Sequence, residues 1–185
     1  MRNIFLTGPK HSGKTTTGKI LAGLFCNTAG YKLPDDCSYI FFDIDELILQ
    51  KTGKTPRQLF FESAEIFQKA EAEAVNSLFM ENRKFVAAAG GGIIDNSEAI
   101  DALKKIDAVV VYLGVSADCA WSRIAGSPSG LPPFLQTENP KETHCVLHER
   151  RAAAYSQLAD ILIEAEDKTP ENIALEIIER LTEKL

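Results

Sequence analysis

Short apolar runs alternate along the chain with longer stretches in which apolar residues recur every three or four positions. The runs are typical of buried strands and the stretches of amphipathic helices. The clearest strand pattern is AVVVYL at 108–113. In all, the runs predict five strands, over residues 3–7, 38–42, 84–89, 108–113 and 160–164.

Helical periodicity fills the intervals between these strands. It predicts helices over residues 14–25, 63–83, 96–105, 116–125, 140–158 and 170–184, and a helix start at 55–58. A crossover of this length returns the chain to a parallel neighbour. The order therefore predicts an α/β fold with a five-stranded parallel sheet and helices on both faces.

The segment after the first strand carries a phosphate-binding sequence. Residues 8–15 read GPKHSGKT and fit the pattern G-x-x-x-x-G-K-[ST] in full, between an apolar strand and an amphipathic helix. Glycines let backbone N–H groups converge on phosphate oxygens at a helix N-terminus. We expect Lys14 to bridge the β- and γ-phosphates of a nucleotide and Thr15 to bind Mg²⁺. A glycine-rich turn that only joins strand to helix is the alternative, which this context disfavours.

The phosphate-binding loop alone does not define the reaction. A GTPase would carry an Asn/Thr-Lys-x-Asp element, which the sequence lacks, and a large ATPase motor would need a longer chain. A phosphotransferase acting on a small molecule or nucleotide remains, as does a nucleotide-binding switch.

Two carboxylates follow the second strand, in the sequence FFDIDE. If the strand continues through Asp43 and Asp45, their side chains share one direction at the carboxyl end of the sheet, where α/β folds bind ligands. One could then hold a metal-bound water and the other accept a hydrogen bond from a substrate hydroxyl. The alternative is a helix N-terminus whose acidic residues complement the helix dipole. The glycines of 90–92, which follow the third strand, would let a ligand approach the backbone closely.

Charge and cysteine content narrow the class of protein. The chain has 20 Lys and Arg against 26 Asp and Glu, a net charge of −6, which argues against a general nucleic-acid or membrane binder. Any anionic ligand must therefore be held by a few concentrated charges. Four scattered cysteines without a C-x-x-C pair, and no apolar stretch long enough for a leader or a membrane span, predict a cytoplasmic protein. The 185 residues fit one domain, 1–185.

Taken in order, these elements resemble the shikimate kinase family. The matching segments are the phosphate-binding loop, FFDIDELI, GKTPRQLFFES, FQKAEAEAV, VAAAGGGI, VVVYLGVS and RAAAYSQLADILIEA. The resemblance implies the three-layer fold of P-loop kinases, with a substrate-binding region at about 43–83 and a flexible lid at about 126–137. It also implies a monomer that transfers the γ-phosphate of ATP to a hydroxyl of shikimate or a similar hydroxy acid.

The resemblance assigns site residues to four groups. Lys14 and Asp45 would be catalytic, and Thr15 and Asp43 would hold Mg²⁺. The nucleotide would contact Gly8, His11, Ser12, Gly13, Lys14, Thr15, Thr16 and Arg123. The acceptor would contact Asp45, Gln68, Gly91 and Arg151, with Arg150 as an alternative to Arg151.

Two positions depart from the family pattern. Gln68 stands where the family has an arginine that clamps the substrate carboxylate, and a glutamine cannot make that charge-assisted fork. The lid reads GSPSGLPPFL, with Gly130 or Leu131 at the position of the family's phosphate-contacting arginine, and has no Lys or Arg. Lys10 is a candidate substitute or a solvated loop lysine. These departures leave open a kinase of another metabolite, such as a gluconate-like sugar acid, or a catalytically weak nucleotide sensor.

His144 and His148 lie on one face of the predicted helix 140–158. No third ligand accompanies them, so a solvated or substrate-facing helix side is favoured over a metal site.

Overall fold

The computed structural model describes residues 2–26, 39–127 and 130–183. Within these ranges the strands are β1 (Asn3–Thr7), β2 (Ile40–Asp43), β3 (Phe85–Ala88), β4 (Ala108–Gly114) and β5 (Ile161–Glu164). The helices are α1 (Lys14–Cys26), α2 (Ile44–Thr52), α3 (Pro56–Glu62), α4 (Ala64–Ser77), α5 (Ser97–Leu103), α6 (Ala117–Ala125), α7 (Pro140–Leu158) and α8 (Pro170–Glu183). Short 3₁₀ turns lie at Leu78–Met80, Ile93–Asp95 and Pro133–Leu135.

The five strands are parallel and lie in the order β2-β3-β1-β4-β5. At the centre, Leu6 of β1 pairs with Ala88 of β3 on one side and Val111 of β4 on the other. The chain leaves β1 towards one edge of the sheet and leaves β4 towards the other. Ligands of such sheets bind in the crevice that opens at the carboxyl ends of the strands, so the fold places the binding region beside the loop after β1.

The sheet separates two apolar cores because successive side chains of a strand point to opposite faces. Phe5 packs into the core that includes α2, α4, α5 and α7. Its neighbours Ile4 and Leu6 pack into the core that includes α1 and α8. Strand β4 is buried along its whole length. These layers confirm the predicted α/β fold, with a five-stranded parallel sheet and helices on both faces.

The structure differs from the prediction at the second strand. The pattern predicts a strand over 38–42 and leaves open whether the strand continues through Asp45 or a helix begins there; β2 ends at Asp43 and α2 begins at Ile44. Asp43 caps that helix, because its side chain accepts a hydrogen bond from the Asp45 N–H. The strand alternation that would give Asp43 and Asp45 one direction is therefore wrong, and the helix N-terminus is the correct alternative. Ser38 and the predicted loop 27–37 lie outside the described residues.

The predicted helix 63–83 is shorter than its pattern. Ser63 caps α4 by accepting a hydrogen bond from the Glu65 N–H at 3.2 Å. The helix ends at Ser77 and tightens into the 3₁₀ turn. At the end of the chain, α8 is described as far as Glu183. No helix in the described ranges is long and apolar enough to cross a membrane.

The side chains of His144 and His148 are buried, so of the two expectations, a solvated or a substrate-facing helix side, the solvated one is wrong. Their Nε2 atoms lie 3.2 Å from the Ala117 carbonyl oxygen and 3.1 Å from the Val115 carbonyl oxygen. Burial lowers the pKa of both rings, which favours the neutral form that donates through Nε2. The pair thus ties α7 to Val115, which follows β4, and to Ala117, the first residue of α6.

Candidate active site

The loop between β1 and α1 has a backbone that only glycine adopts easily at two points. Gly8 has a φ of 139°, and a Cβ there would lie 2.5 Å from the Leu113 carbonyl oxygen. Gly13 has a φ of 92°. His11, with a φ of 62°, is the positive-φ residue other than glycine in the described ranges, a strained conformation that is concentrated at functional sites. The loop presents its backbone at the N-terminus of α1, as phosphate binding requires.

Lys14 folds back over this loop and is nearly buried. Its Nζ donates to the Gly8 carbonyl oxygen at 3.0 Å and to the Pro9 carbonyl oxygen at 2.7 Å. Burial lowers the pKa of Lys14 to about 8, although the carboxylates of Asp45 and Asp43 oppose the shift. The ammonium is therefore within electrostatic range of both carboxylates, and at pH 7 it remains mostly charged.

Thr15 and Asp43 form a pair of oxygen donors. The Thr15 hydroxyl donates to Asp43 Oδ2 at 2.8 Å, and Asp43 Oδ1 accepts from the Asp45 N–H at 3.0 Å. Mg²⁺ prefers such oxygen ligands and usually takes one or two from the protein, the others coming from phosphate and water. No larger group of His, Cys, Asp and Glu in the described part of the chain could hold a metal. The donor set therefore fits an ion that arrives with a nucleotide.

Two carboxylates, those of Asp45 and Glu71, converge on Gly90. A Cβ at Gly90 would lie 3.2 Å from Asp45 Oδ1 and 3.3 Å from Glu71 Oε1. Asp45 is open to the cleft, yet the protein around it and the nearby Asp43 raise the pKa of its carboxyl, while Lys14 lowers it. A side chain at Gly90 would crowd both carboxylates, so the glycine leaves room for their close approach.

Glu71 on α4 is buried and only half satisfied. It is 1% exposed, its Oε2 accepts from Asn96 Nδ2 at 2.9 Å, and its Oε1 has no hydrogen-bond partner. Burial raises the pKa of Glu71 to about 7, although the Asn96 hydrogen bond opposes the shift. An unpartnered buried carboxyl oxygen is rare in folded proteins, and this one belongs to a residue that lines the cleft described below.

Arg151 closes the other side of the site. Its Nε and Nη2 donate to Asp95 Oδ2 at 2.8 and 2.6 Å, and its Nη1 donates to the Gly91 carbonyl oxygen at 3.3 Å. Arg150 instead contacts the other oxygen of Asp95, at 2.7 Å, and its side chain is more exposed. The guanidinium of Arg151 also lies over the Phe134 ring, 5.2 Å from its centre. Arg151 is thus the better placed of the two arginines to meet a ligand.

Most of the predicted site residues line one cleft of about 620 Å³. They are Lys10, His11, Gly13, Lys14, Thr15, Thr16, Asp43, Asp45, Gln68, Gly91 and Arg151. Gly8 and Ser12 lie buried within the loop itself. Arg123 is not among the residues that line the cleft; it donates to the His11 carbonyl oxygen at 3.0 Å and the Glu166 carbonyl oxygen at 3.1 Å.

Other residues of the cleft were not predicted. They include Arg57, Phe60, Glu71, Asp95 and Asn96. For Glu71 a signal exists in the sequence, since it falls on the apolar stripe of α4 between Phe67 and Val75, where a charged residue is unexpected. Asp95 and Asn96 carry no such pattern, because they lie in a short turn that only the packing of α5 and α7 brings to the cleft.

The phosphate-binding loop lies at the centre of a parallel sheet, and carboxylates and an arginine line the same cleft. This combination defines the class of P-loop kinases that act on small molecules. The sequence also matches a profile described as shikimate kinase over residues 27–182. The chain belongs to the shikimate kinase family.

The comparison extends to individual proteins. The chain is 32% identical to the shikimate kinase of Prochlorococcus marinus, covering 100% of this chain and 88% of that one. It is 32% identical to the shikimate kinase of Aliivibrio fischeri, covering 99% of this chain and 98% of that one. A structure described as shikimate kinase from Acinetobacter baumannii in complex with shikimate superposes with a TM-score of 0.84 at 29% identity, covering 100% of this chain and 94% of that one. The protein is an ATP-dependent phosphotransferase of the shikimate kinase type.

A gluconokinase from Sinorhizobium meliloti also superposes, with a TM-score of 0.60 at 13% identity and with 99% of this chain and 94% of that one covered. At that identity the likeness shows the shared fold alone.

Replacing the half-satisfied carboxyl of Glu71 is expected to stabilise the protein above pH 5. In the wild type the folded state holds the Glu71 proton up to about pH 7, whereas the unfolded chain releases it near 4.5, so ionisation of this residue lowers stability as the pH rises between those values. Glu71→Gln keeps an acceptor for Asn96 and removes the ionisation. We expect a free energy of unfolding higher by up to ~3 kcal/mol at pH 8 and little changed at pH 4.

Urea unfolding of both proteins at several pH values measures this difference. Glu73→Gln, on an exposed position of the same helix, is the matched control and should follow the wild type throughout. Parallel curves for the wild type and Glu71→Gln would contradict the prediction.

Proposed function

We propose that the protein transfers the γ-phosphoryl group of ATP to a hydroxyl of shikimate or a closely related hydroxy acid. The observation that carries the proposal is the shared cleft, in which the phosphate-binding loop faces Asp45, Gly91 and Arg151. Phosphoryl transfer depends mainly on positioning and charge stabilisation, and this cleft supplies both from side chains of one chain.

The nucleotide end is assigned to the loop and the start of α1. The backbone of residues 8–13, with the side chains of Lys14 and Thr16, would hold the triphosphate, and Arg123 would lie against the adenine. Thr15 and Asp43 would hold Mg²⁺ through their paired oxygens. When bound, that ion neutralises charge on the β- and γ-phosphates. Lys14 supplies a second positive charge to the same oxygens.

The acceptor end is assigned to the residues across the cleft. Asp45 would accept a hydrogen bond from the reacting hydroxyl and take its proton as the new oxygen–phosphorus bond forms. Gly91 would offer its backbone N–H, and Arg151 would pair with the acceptor carboxylate in exchange for part of its contact with Asp95. Gln68 lines this end without charge, and Arg57, on α3, brings a second cation to it.

The proposal includes a single domain over 1–185 that works as a monomer, since one chain provides every residue assigned to the cleft. It also includes a cytoplasmic location, where ATP is available. Segment 126–137, of which residues 128–129 are not described, would act as a lid, since Pro132, Pro133 and Phe134 line the cleft and the buried Leu135 anchors the segment. Closure of such a lid excludes water from phosphoryl transfer.

Acceptor-dependent release of ADP tests the function. The purified protein with Mg²⁺ and ATP should release ADP with shikimate at least about tenfold faster than with gluconate or other sugar acids, because the acceptor end combines hydroxyl and carboxylate partners in a compact cleft. Turnover with a sugar acid alone would identify a different kinase. Nucleotide binding without turnover on any acceptor would identify a sensor.

The uncharged Gln68 provides a second arm of the same experiment. Gln68→Arg would add a guanidinium to the cleft that Arg151 also lines. We expect the KM for shikimate to fall several-fold with kcat little changed. Lys69→Arg, one position along on the exposed side of α4, is the control. A KM that stays constant or rises would count against a carboxylate at this position.

A further inference from the structure

The cleft contains a cation to which the function described above assigns no role. Lys10 lies in the phosphate-binding loop, and the cleft that it lines also contains Lys14, Asp45 and Arg151. Unlike Lys14, Arg123 and Arg151, its ammonium has no hydrogen-bond or ion-pair partner among residues 2–26, 39–127 and 130–183. A positive charge without a protein partner is available to a ligand.

The backbone fixes where this side chain starts. A Cβ at Gly91 would lie 2.6 Å from the Lys10 nitrogen and 3.1 Å from its Cα, so the phosphate-binding loop packs directly on the turn after β3. Lys10 also lines a small cavity of about 20 Å³ beside Gly91 and Arg151. Its side chain therefore starts at the junction of the nucleotide end and the acceptor end, which is where the transferred group passes.

The charges around Lys10 support the same location. Lys10 lowers the pKa of Lys14 and His11 on the nucleotide side and the pKa of Asp45 on the acceptor side. The charge of Lys10 therefore acts on groups at both ends of the cleft. By contrast, the segment from 124 to 140, which includes the proposed lid, contains no Lys or Arg.

We propose that Lys10 supplies the positive charge that stabilises the phosphoryl group during transfer, in place of a cation from the lid. The inference rests on the proposed kinase function. In the step, the acceptor hydroxyl oxygen bonds to the γ-phosphorus, and its proton passes to Asp45. The bond from that phosphorus to the bridging oxygen breaks, and the electron pair leaves with ADP. The Lys10 ammonium contacts the non-bridging oxygens of the group in transit and exchanges no proton.

Removing this charge tests the assignment. For Lys10→Met we expect kcat to fall by about 10²–10³-fold, with the KM values for ATP and acceptor within about threefold of the wild type, because the contact strengthens only in the transition state. Lys10→Arg should keep at least about a tenth of the activity, since it retains the charge. Lys19→Met, on α1 outside the cleft and stacked on Phe41, is the matched control and should act like the wild type.

A rescue experiment separates a catalytic charge from a structural effect. Leu131→Arg, combined with Lys10→Met, restores a cation from the lid side and should raise kcat at least about tenfold over Lys10→Met alone. A kcat for Lys10→Met within threefold of the wild type would overturn the proposal. So would a change confined to the KM for ATP, which would show ground-state binding only.

Hydrolysis of ATP, with water as the acceptor, keeps the two proposals distinguishable. If the wild type hydrolyses ATP but phosphorylates no hydroxy acid, the proposed function fails. The role of Lys10 is then tested by the rate of ATP hydrolysis alone. A similar loss of hydrolysis in Lys10→Met would then support its role. Equal hydrolysis by the two proteins would reject it.

Discussion

Lys14→Met is expected to lower kcat/KM for ATP by at least about 10³-fold, because it removes the buried cation that the proposed function assigns to the β- and γ-phosphates. The same change should not lower the melting temperature of the protein without nucleotide. Burial lowers the pKa of Lys14 to about 8, so at pH 7 the folded state carries this charge at a cost that the unfolded chain does not have. Methionine fits the same space without that cost.

The pH dependence sharpens this prediction. Because the pKa of Lys14 is lower in the folded protein, the wild type should gain stability as the pH rises from about 8 towards 10.5. Lys14→Met should lack that gain. Melting temperatures between pH 7 and 10, measured without nucleotide, make the comparison, and Lys19→Met is the control. A variant that is both inactive and much less stable would point to loss of the loop structure instead of loss of the charge.

Asp45→Asn is expected to lower kcat by about 10³-fold with shikimate, while the KM for ATP changes little. The amide has the shape of the carboxylate but cannot take the hydroxyl proton. The fold should persist, because the cap of α2 uses the Asp45 backbone N–H and the Asp43 side chain. Glu46→Gln, at the next and exposed position of the same helix turn, should keep full activity.

The pH profile of kcat/KM provides a second readout for Asp45. Since the environment raises the pKa of its carboxyl, activity should fall with acid at a higher pH than for an ordinary aspartate. Removing Asp45 should remove that acid limb from the remaining activity. An Asp45→Asn variant within tenfold of the wild type, or one that keeps the acid limb, would exclude this carboxylate as the proton acceptor.

Local patterns in the sequence sufficed for the sheet and its central loop. The apolar runs of β1 and β4 predict buried parallel strands because residues in such strands have no solvent face. The pattern of residues 8–15 locates the phosphate-binding loop because the loop needs glycine where its backbone has a positive φ, and these positions lie within eight residues of sequence. The sequence did not decide that α2 begins directly after Asp43. An aspartate that caps a helix and a pair of aspartates that alternate along a strand have the same spacing in sequence.

Contacts between distant residues were decided only by the tertiary structure. Asp45, Glu71 and Gly90 meet although they belong to three elements of the chain, and the half-satisfied state of Glu71 follows from that packing. The burial of His144 and His148 depends on how α7 lies against the segment after β4. The sequence by itself determined the fold class, the family and the absence of lid cations, because these depend on local pattern and residue type. The placement of Lys10 at the junction of the two ends of the cleft required the tertiary structure, because it depends on the close approach of Lys10 to Gly91, which are far apart in the chain.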